Sequence, residues 1–420
     1  MIKYDSYKDS KIEWIGEIPE HWKITPIKNV AEIRGRIGWR ALSTEDYVDD
    51  GFILLGVRNI SEKGELVLKD LTRIPLEKYD ESPEIQVQQG DVLLAKTGAT
   101  IGKSCVIRKV VEPMTVNAAV NIFRLKHRIN PVYFNHIISS EQTQYQFWAN
   151  TAENARGNLF QRDIAKVLIP FTENLTEQTA IAAYLDRKTA EIDELIANKK
   201  RLIELYEEEK TAIINQAVTK GINPDVPMKP SGIEWLGDVP EHWEVKKLKH
   251  VSFLKSGENI VSEQIKEIEK YPVYGGNGLR GFFDNFTHEG EYILIGRQGA
   301  YCGNIKYAKG RFWASEHAVV LSPLVNYHPF YLGELLRSMN LNQYSISAAQ
   351  PGLSVEVIKN LTIPFPPMGE QKSIAVYCDG EFNRIENKIS NTQKLIDLLT
   401  EYRTALISEV VTGKVKIVNL

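Results

Sequence analysis

From residue 177 to residue 218 the chain holds neither proline nor glycine, and its apolar residues return every three, four or seven positions. Leu185, Ile192, Leu195, Leu202, Tyr206 and Ile213 trace the stripe, the narrow seam of a coiled coil rather than a broad globular face. Ile196 and Ile203 widen it. The spacing predicts one helix of about 42 residues, roughly 60 Å long, capped by Thr176 and stopped at Gly221. A second stretch carries Ile385, Ile389, Leu395, Leu399, Leu406 and Val410 and stops at Gly413. A lone helix of this length cannot bury its stripe, whereas two can cover each other antiparallel.

Between these helices the pattern is mixed. GFILLGV (51–57), GDVLLAK (90–96) and NIFRL (121–125) read as strands, and PVYFNHIISSEQTQYQFWAN (131–150) reads as a helix. Later, EYILIG (291–296) and AVVLS (318–322) read as strands and HPFYLGELLRSMN (328–340) as a helix. The segment 222–240, with prolines at 224, 227, 230 and 240, reads as an extended linker.

The likeness in order reflects a repeat. SKIEWIGEIPEHWK (10–23) and SGIEWLGDVPEHWE (231–244) share nine of 14 positions. Residues 202–221 align without gaps on 395–414, EQTAIAAYLD (177–186) aligns on EQKSIAVYCD (370–379), and VLIPF and LTIPF precede these segments. One unit of about 200 residues thus occurs twice, which imitates a homodimer with a pseudo-two-fold axis.

Composition narrows the class. At 420 residues the chain has room for two or three domains, and 43% hydrophobic with 25% charged residues is ordinary for a globular protein. No apolar run approaches the roughly 18 residues of a membrane span, and the polar start MIKYDSYKDSK has no apolar signal region. Cys105, Cys302 and Cys378 are isolated, without zinc spacing, and read as small buried residues in a reducing cytoplasm. A net charge of −3 neither advertises nor excludes a nucleic-acid partner, since phosphate binding needs only a local basic face.

The segment AKTGATIGKS (95–104) suggests a phosphate-binding loop, but only three residues separate Gly98 from Gly102, where that loop needs four. The second repeat has GRQGAYCGNI (296–305), with Asn304 and Ile305 in place of Lys103 and Ser104. Both copies keep a strand followed by Gly-Ala-x-x-Gly, a strand-to-strand turn that needs permissive backbone. N/D-P-P-Y/F and zinc-binding H-E-x-x-H motifs are also absent from the sequence.

These pieces resemble one family. The motif W-[IL]-G-x-[IV]-P-x-x-W, the strand and turn at residues 91–102, and I-P-F before E-Q-x-x-I-A and a long helix are similar to the specificity subunits of type I restriction–modification enzymes. The second strand and turn departs from the pattern, with Glu291 and Tyr292 where the first has Asp91 and Val92. The resemblance implies an α+β fold: two α/β target-recognition domains separated by two long antiparallel coiled-coil helices, with an internal pseudo-two-fold repeat. It divides the chain into an N-terminal Trp-motif segment (1–25), recognition domain 1 (26–172), a central helix (173–221), a linker with the second Trp motif (222–247), recognition domain 2 (248–366) and a C-terminal helix (367–420). It further implies a non-catalytic subunit that reads a split, asymmetric site in double-stranded DNA. Two adenine-methyltransferase subunits dock on it and restriction subunits can join. S-adenosylmethionine, ATP and Mg belong to those partners, with no cofactor or metal in this chain.

Arginine and side-chain amides suit guanine and adenine edges. In the first variable segment the candidates are Arg34, Arg36, Arg40, Arg58, Asn59, Lys96, Thr97, Arg156, Asn158 and Gln161. In the second they are Tyr274, Asn277, Arg280, Arg297, Gln298, Tyr301, His317 and Gln350. His21 and His242 read as packing or hydrogen-bonding residues. Trp14, Trp22, Trp235 and Trp243 read as pins of the chain ends on the helices, because a motif common to both halves cannot distinguish two half-sites.

Overall fold

Two helices dominate the chain, Leu175–Lys220 and Met368–Val411. The computed structural model describes residues 2–36, 42–152, 158–345 and 352–417. The chain folds as two units, residues 1–199 with 394–420 and residues 200–393, so the division falls inside both long helices. Asn174, not Thr176, caps the first helix, its Oδ1 accepting the N–H groups of Thr176 (3.0 Å) and Glu177 (3.3 Å).

The seam is present with its frame corrected. Leu195 and Leu395 face solvent, at 48% and 47% exposure, while Ile396 is buried and Ile196 packs on the first unit's core. In each Leu-Ile pair only one residue can point inward. In the second helix the sheltered positions are Ile385, Ile389, Thr392, Ile396, Leu399, Arg403, Leu406 and Val410, steps of four and three that define a heptad. Leu185 and Ile192 are buried in the first helix, and Leu202, Tyr206 and Ile213 are half-buried.

Within the first unit Arg403 grips Asp193 with two bonds, Nε to Oδ1 at 2.9 Å and Nη2 to Oδ2 at 3.2 Å. Within the second, Lys210 meets Glu386 at 2.5 Å and the Lys388 ammonium lies 5.1 Å from the Tyr206 ring. A rising number on one helix pairs with a falling number on the other, so they run antiparallel. Such partly exposed pairs contribute little individually. Burial of Leu185 and Ile192 with Leu406, Ile407 and Val410 carries the packing in the first unit.

The two units share a sheet topology that their sequences conceal. The first has a four-stranded sheet in the order Ala31–Gly35, Val120–Leu125, Val92–Ala95, Ser104–Val106. Beside it lies a three-stranded sheet in which Phe52–Leu55 pairs parallel with Met114–Val116 and antiparallel with Thr72–Ile74. The second unit has one six-stranded sheet, in the order Ser252–Ser256, Ala318–Pro323, His288–Gly296, Ile305–Ala314, Tyr271–Gly275, Gly278–Phe283. Its long strand Ile305–Ala314 does the work of both Ser104–Val106 and Met114–Val116, pairing antiparallel on one side and parallel on the other. Between the two short strands stands Pro113, which cannot donate to a ladder.

The segment 131–150 forms two helices, Pro131–Ser139 and Glu141–Ala152, because Ser140 is extended at ψ 150°. The segment 222–240 is only partly linker. Met228–Pro230 and Asp238–Pro240 form a short ladder that repeats Tyr7–Asp9 on Glu17–Pro19.

The repeated motifs form a clamp in each unit. Glu177, at the first helix's start, receives Tyr4 Oη (2.7 Å) and Trp22 Nε1 (3.1 Å) on Oε1 and Thr172 Oγ1 (2.6 Å) on Oε2, with His21 Nε2 3.0 Å from Oε2. Burial pushes this carboxyl up, but the hydrogen bonds outweigh it and hold it below the ordinary carboxylate value. The adjacent Gln178 accepts the Asn130 N–H (2.8 Å) and donates to the Thr172 carbonyl (2.9 Å), tying the start of the helix Pro131–Ser139 to the long one. In the second unit His242 meets Glu370 at 2.7 Å, and Gln371 accepts from His328 N–H (2.8 Å) and donates to Pro366 O (2.9 Å). The two histidines thus act as hydrogen-bonding residues. Trp22 and Trp243 are buried, each edge-on to a buried tyrosine, Tyr133 and Tyr331. Gly413 closes the first clamp from the far helix end: at φ 74°, a Cβ there would lie 2.3 Å from Pro19 Cδ. Trp14 and Trp235 pin nothing in this way, being exposed.

Candidate nucleic-acid interface

Antiparallel pairing brings the candidate residues of the first unit to one end of its sheet. Asn121 stands opposite both Gly35 and Leu94, so Arg36, Lys96 and Asn121 lie at the same edge. The chain returns to it after the helices Pro131–Ser139 and Glu141–Ala152: Leu159 N–H donates to Lys96 O (2.9 Å), and Thr97 bridges to Asn158. Gln161 Nε2 lies 3.4 Å from Asn121 Oδ1. Burial pulls the half-buried Lys96 amine below the usual lysine value, leaving a partly desolvated cation at the edge.

The second unit builds the same edge from other residues. Arg297 N–H donates to His317 O (2.9 Å), Leu353 N–H donates to Arg297 O (2.9 Å), and Gln298 bridges to Gly352. These three links match, one for one, Lys96 N–H to Ala119 O (2.9 Å), Leu159 N–H to Lys96 O and the bridge of Thr97 to Asn158. Arg297 Nη1 donates to Ser256 Oγ (3.2 Å), and His317 Nδ1 lies 3.1 Å from Gln298 Oε1. Asn277 accepts from Asn304 Nδ2 (3.4 Å), while Tyr301, on the glycine turn, and Arg280, in the strand Gly278–Phe283, are exposed.

Not every candidate faces out. Asn59 is buried, its Oδ1 accepting Gly56 N–H (2.9 Å) and its Nδ2 donating to Val67 O (2.9 Å), so it holds a turn. Arg36 is buried and donates to Val116 O (3.3 Å). Arg34 is spread over Glu84 O (3.2 Å) and Glu32 (2.5 Å), and Arg58 is exposed beside the Thr72 hydroxyl. Tyr274 packs edge-on to Phe312 in a second core, at 5.6 Å. Arg40, Arg156 and Gln350 lie outside the described residues.

Sequence reading missed Asn121 and Ser256. Asn121 is fully buried, and its Nδ2 has no hydrogen-bond partner among the described residues. A Cβ on Gly35 would fall 2.4 Å from Asn121 Oδ1, so the glycine at 35 was the available signal.

The Gly-Ala-x-x-Gly turns are not phosphate cradles. The N–H groups of Ile101, Gly102 and Lys103 all donate within the first turn, to Gly98, Ala95 and Thr100 carbonyls. The Lys103 ammonium pairs with Glu62. All three cysteines are buried and free, and burial pushes the Cys105 thiol up to about 12 and Cys378 up to about 11. No group of three or more metal-ligating side chains occurs among the described residues, and no helix among them is long and apolar enough to cross a membrane.

Known proteins share this architecture. Residues 240–395 match the type I restriction modification DNA specificity domain. The chain is 38% identical over 154 residues to the type I restriction enzyme EcoprrI specificity subunit of Escherichia coli, an alignment covering 36% of this chain and 38% of that protein. It is 23% identical to the putative type I restriction enzyme MjaX specificity subunit of Methanocaldococcus jannaschii, across 99% of both chains. The fold is that of the HsdS subunit from Thermoanaerobacter tengcongensis (TM-score 0.59, 16% identity, 95% of this chain and 98% of that one). A chain solved in a study of complex assembly and conformational transition of the type I R-M system is also alike (TM-score 0.66, 16% identity, 95% and 99%). A DNA-specificity domain thus matches part of the second half, and the chain is alike from end to end, at low identity, to specificity subunits of type I restriction–modification systems.

Proposed function

We propose that each unit reads one half of a bipartite, asymmetric DNA site through the sheet edge just described. The single observation that carries this is the pairing of one backbone framework with two unlike sets of tips. Lys96, Thr97, Ala119 and Asn158 stand where the second unit has Arg297, Gln298, His317 and Gly352, with Asn121 and Gln161 beside the first set. Amide tips suit adenine edges and arginine suits guanine, while the lysine suits a phosphate. The antiparallel helix pair, continuous from one unit into the other, sets the gap between the half-sites, since two readers on one duplex face sit near one turn, about 34 Å, or a multiple apart. The chain itself does no chemistry. Adenine-methyltransferase subunits, two per chain, supply S-adenosylmethionine and flip the adenine from the stack. Restriction subunits supply ATP-dependent cleavage with Mg.

Methylome sequencing of cells carrying this chain and its methyltransferase tests the reading. Arg297→Ala relaxes one base of one half-site, by about 10- to 100-fold in preference, and leaves the other half unchanged. Gln161→Ala does the converse. Inserting four residues after Leu202 and after Leu395 lengthens both helices by about 6 Å and widens the gap with both half-sites intact. A changed half-site with the old gap would refute the spacing role. Methylation indifferent to both tip substitutions would favour a coiled-coil scaffold that does not contact DNA.

A further inference from the structure

Packing explains the buried residues of the repeated Trp motif but not the exposed ones. Residues 12–16 and 233–237 form the same tight turn, closed by Gly16 N–H to Ile12 O (2.9 Å) and Gly237 N–H to Ile233 O (3.2 Å). Ile15 and Ile18, with their counterparts Leu236 and Val239, are buried and keep their apolar character for that reason. Yet Trp14 is 50% exposed and Trp235 37% exposed, and an indole in water serves no fold. The acidic positions around them are exposed too, and all keep their sign: Glu13 and Glu234, Glu17 and Asp238, Glu20 and Glu241. The basic Lys11 is not kept, Gly232 standing in its place. Lys8, kept as Lys229, is folded back on the Glu20 carbonyl in the first unit (2.5 Å). In that unit Tyr145 extends the aromatic surface, its ring 6.3 Å from Trp14.

An aromatic centre inside an acidic rim repels phosphate and fits protein. Its presence in matching form on two units whose sheet edges differ fits one kind of partner bound twice. We propose that the Glu-Trp turn of each unit is the docking site for the methyltransferase protein, one molecule per turn, the partner presenting an apolar slot edged by basic side chains. This rests on the preceding reading that such a protein joins the chain in two copies.

The test titrates the purified full-length chain with its methyltransferase and counts bound copies by native mass spectrometry, with affinities from sedimentation. The wild type binds two copies. Trp14→Ala or Trp235→Ala weakens one of the two by at least about 30-fold, as expected for an aromatic hot spot, and the double variant weakens both. Glu13→Lys and Glu234→Lys do the same while keeping the indoles, and raising salt from 50 to roughly 500 mM weakens the wild-type complex. Melting curves confirm that these surface variants fold. If the double variant still takes two copies at wild-type affinity, the docking assignment is wrong and the partner reading stands. If the wild type takes no methyltransferase, both fall. Quenching of Trp14 and Trp235 fluorescence by duplex DNA alone would also overturn the assignment.

Discussion

The two clamps look alike and are held differently. In the first unit four side chains converge on Glu177, and Trp22 donates its indole N–H to it. In the second, Glu370 holds His242, while the Trp243 indole N–H is buried with no hydrogen-bond partner among the described residues. Both indoles still sit edge-on to a tyrosine, at 6.5 and 6.2 Å. The shape of the clamp is therefore carried by apolar packing, which both units keep, and the convergence of Tyr4, Trp22 and Thr172 on the glutamate is an addition peculiar to the first.

The comparison can be broken most forcefully at the indoles. Trp22→Ala and Trp243→Ala each cost about 3–5 kcal/mol, with Trp22 at the upper end because Glu177 loses a donor; urea unfolding measures both. Trp→Phe sharpens the contrast: at 22 it removes a bonded donor, at 243 an unbonded one, so Trp243→Phe is the milder of the two. Next, Glu177→Gln costs about 1–2 kcal/mol and Glu370→Gln under about 1 kcal/mol, by the same measurement. Equal losses would mean that the networks are equivalent. The smallest effect is on pH. Since the Glu177 carboxyl sits below its ordinary value of 4.5 in the folded chain, its contribution is complete above that value and is lost as pH falls through the folded one. Thermal melts between pH 6 and roughly 3 should therefore slope less in Glu177→Gln than in the wild type.

The reading edges teach the reverse lesson. There the backbone is common and the tips differ. Strand and glycine turn could be read from spacing, as could both long helices from their heptads, whereas the loops that return at Asn158 and Gly352 could not. The inward member of the pairs Leu195 and Ile196, or Leu395 and Ile396, could not, because both are apolar and only the neighbouring helix chooses between them. Buried amides were equally opaque: Asn59 and Asn121 look like surface residues until the turn around one and the glycine above the other are in place. The motif tryptophans share a spelling, yet Trp22 is buried and Trp14 is not: Trp14 lies on the turn 12–16, whereas Trp22 packs edge-on to Tyr133.

The first unit is assembled from two stretches far apart in the chain, 1–199 and 394–420, whereas the second is one continuous stretch. Leu406, Ile407, Val410, Val411 and Val415 all belong to the first unit's core. Synthesis order and folding order therefore part company. The earlier-made part of the first unit waits, its core open, until the later-made helical turns from residue 394 on arrive, and the portion made between them can close before it.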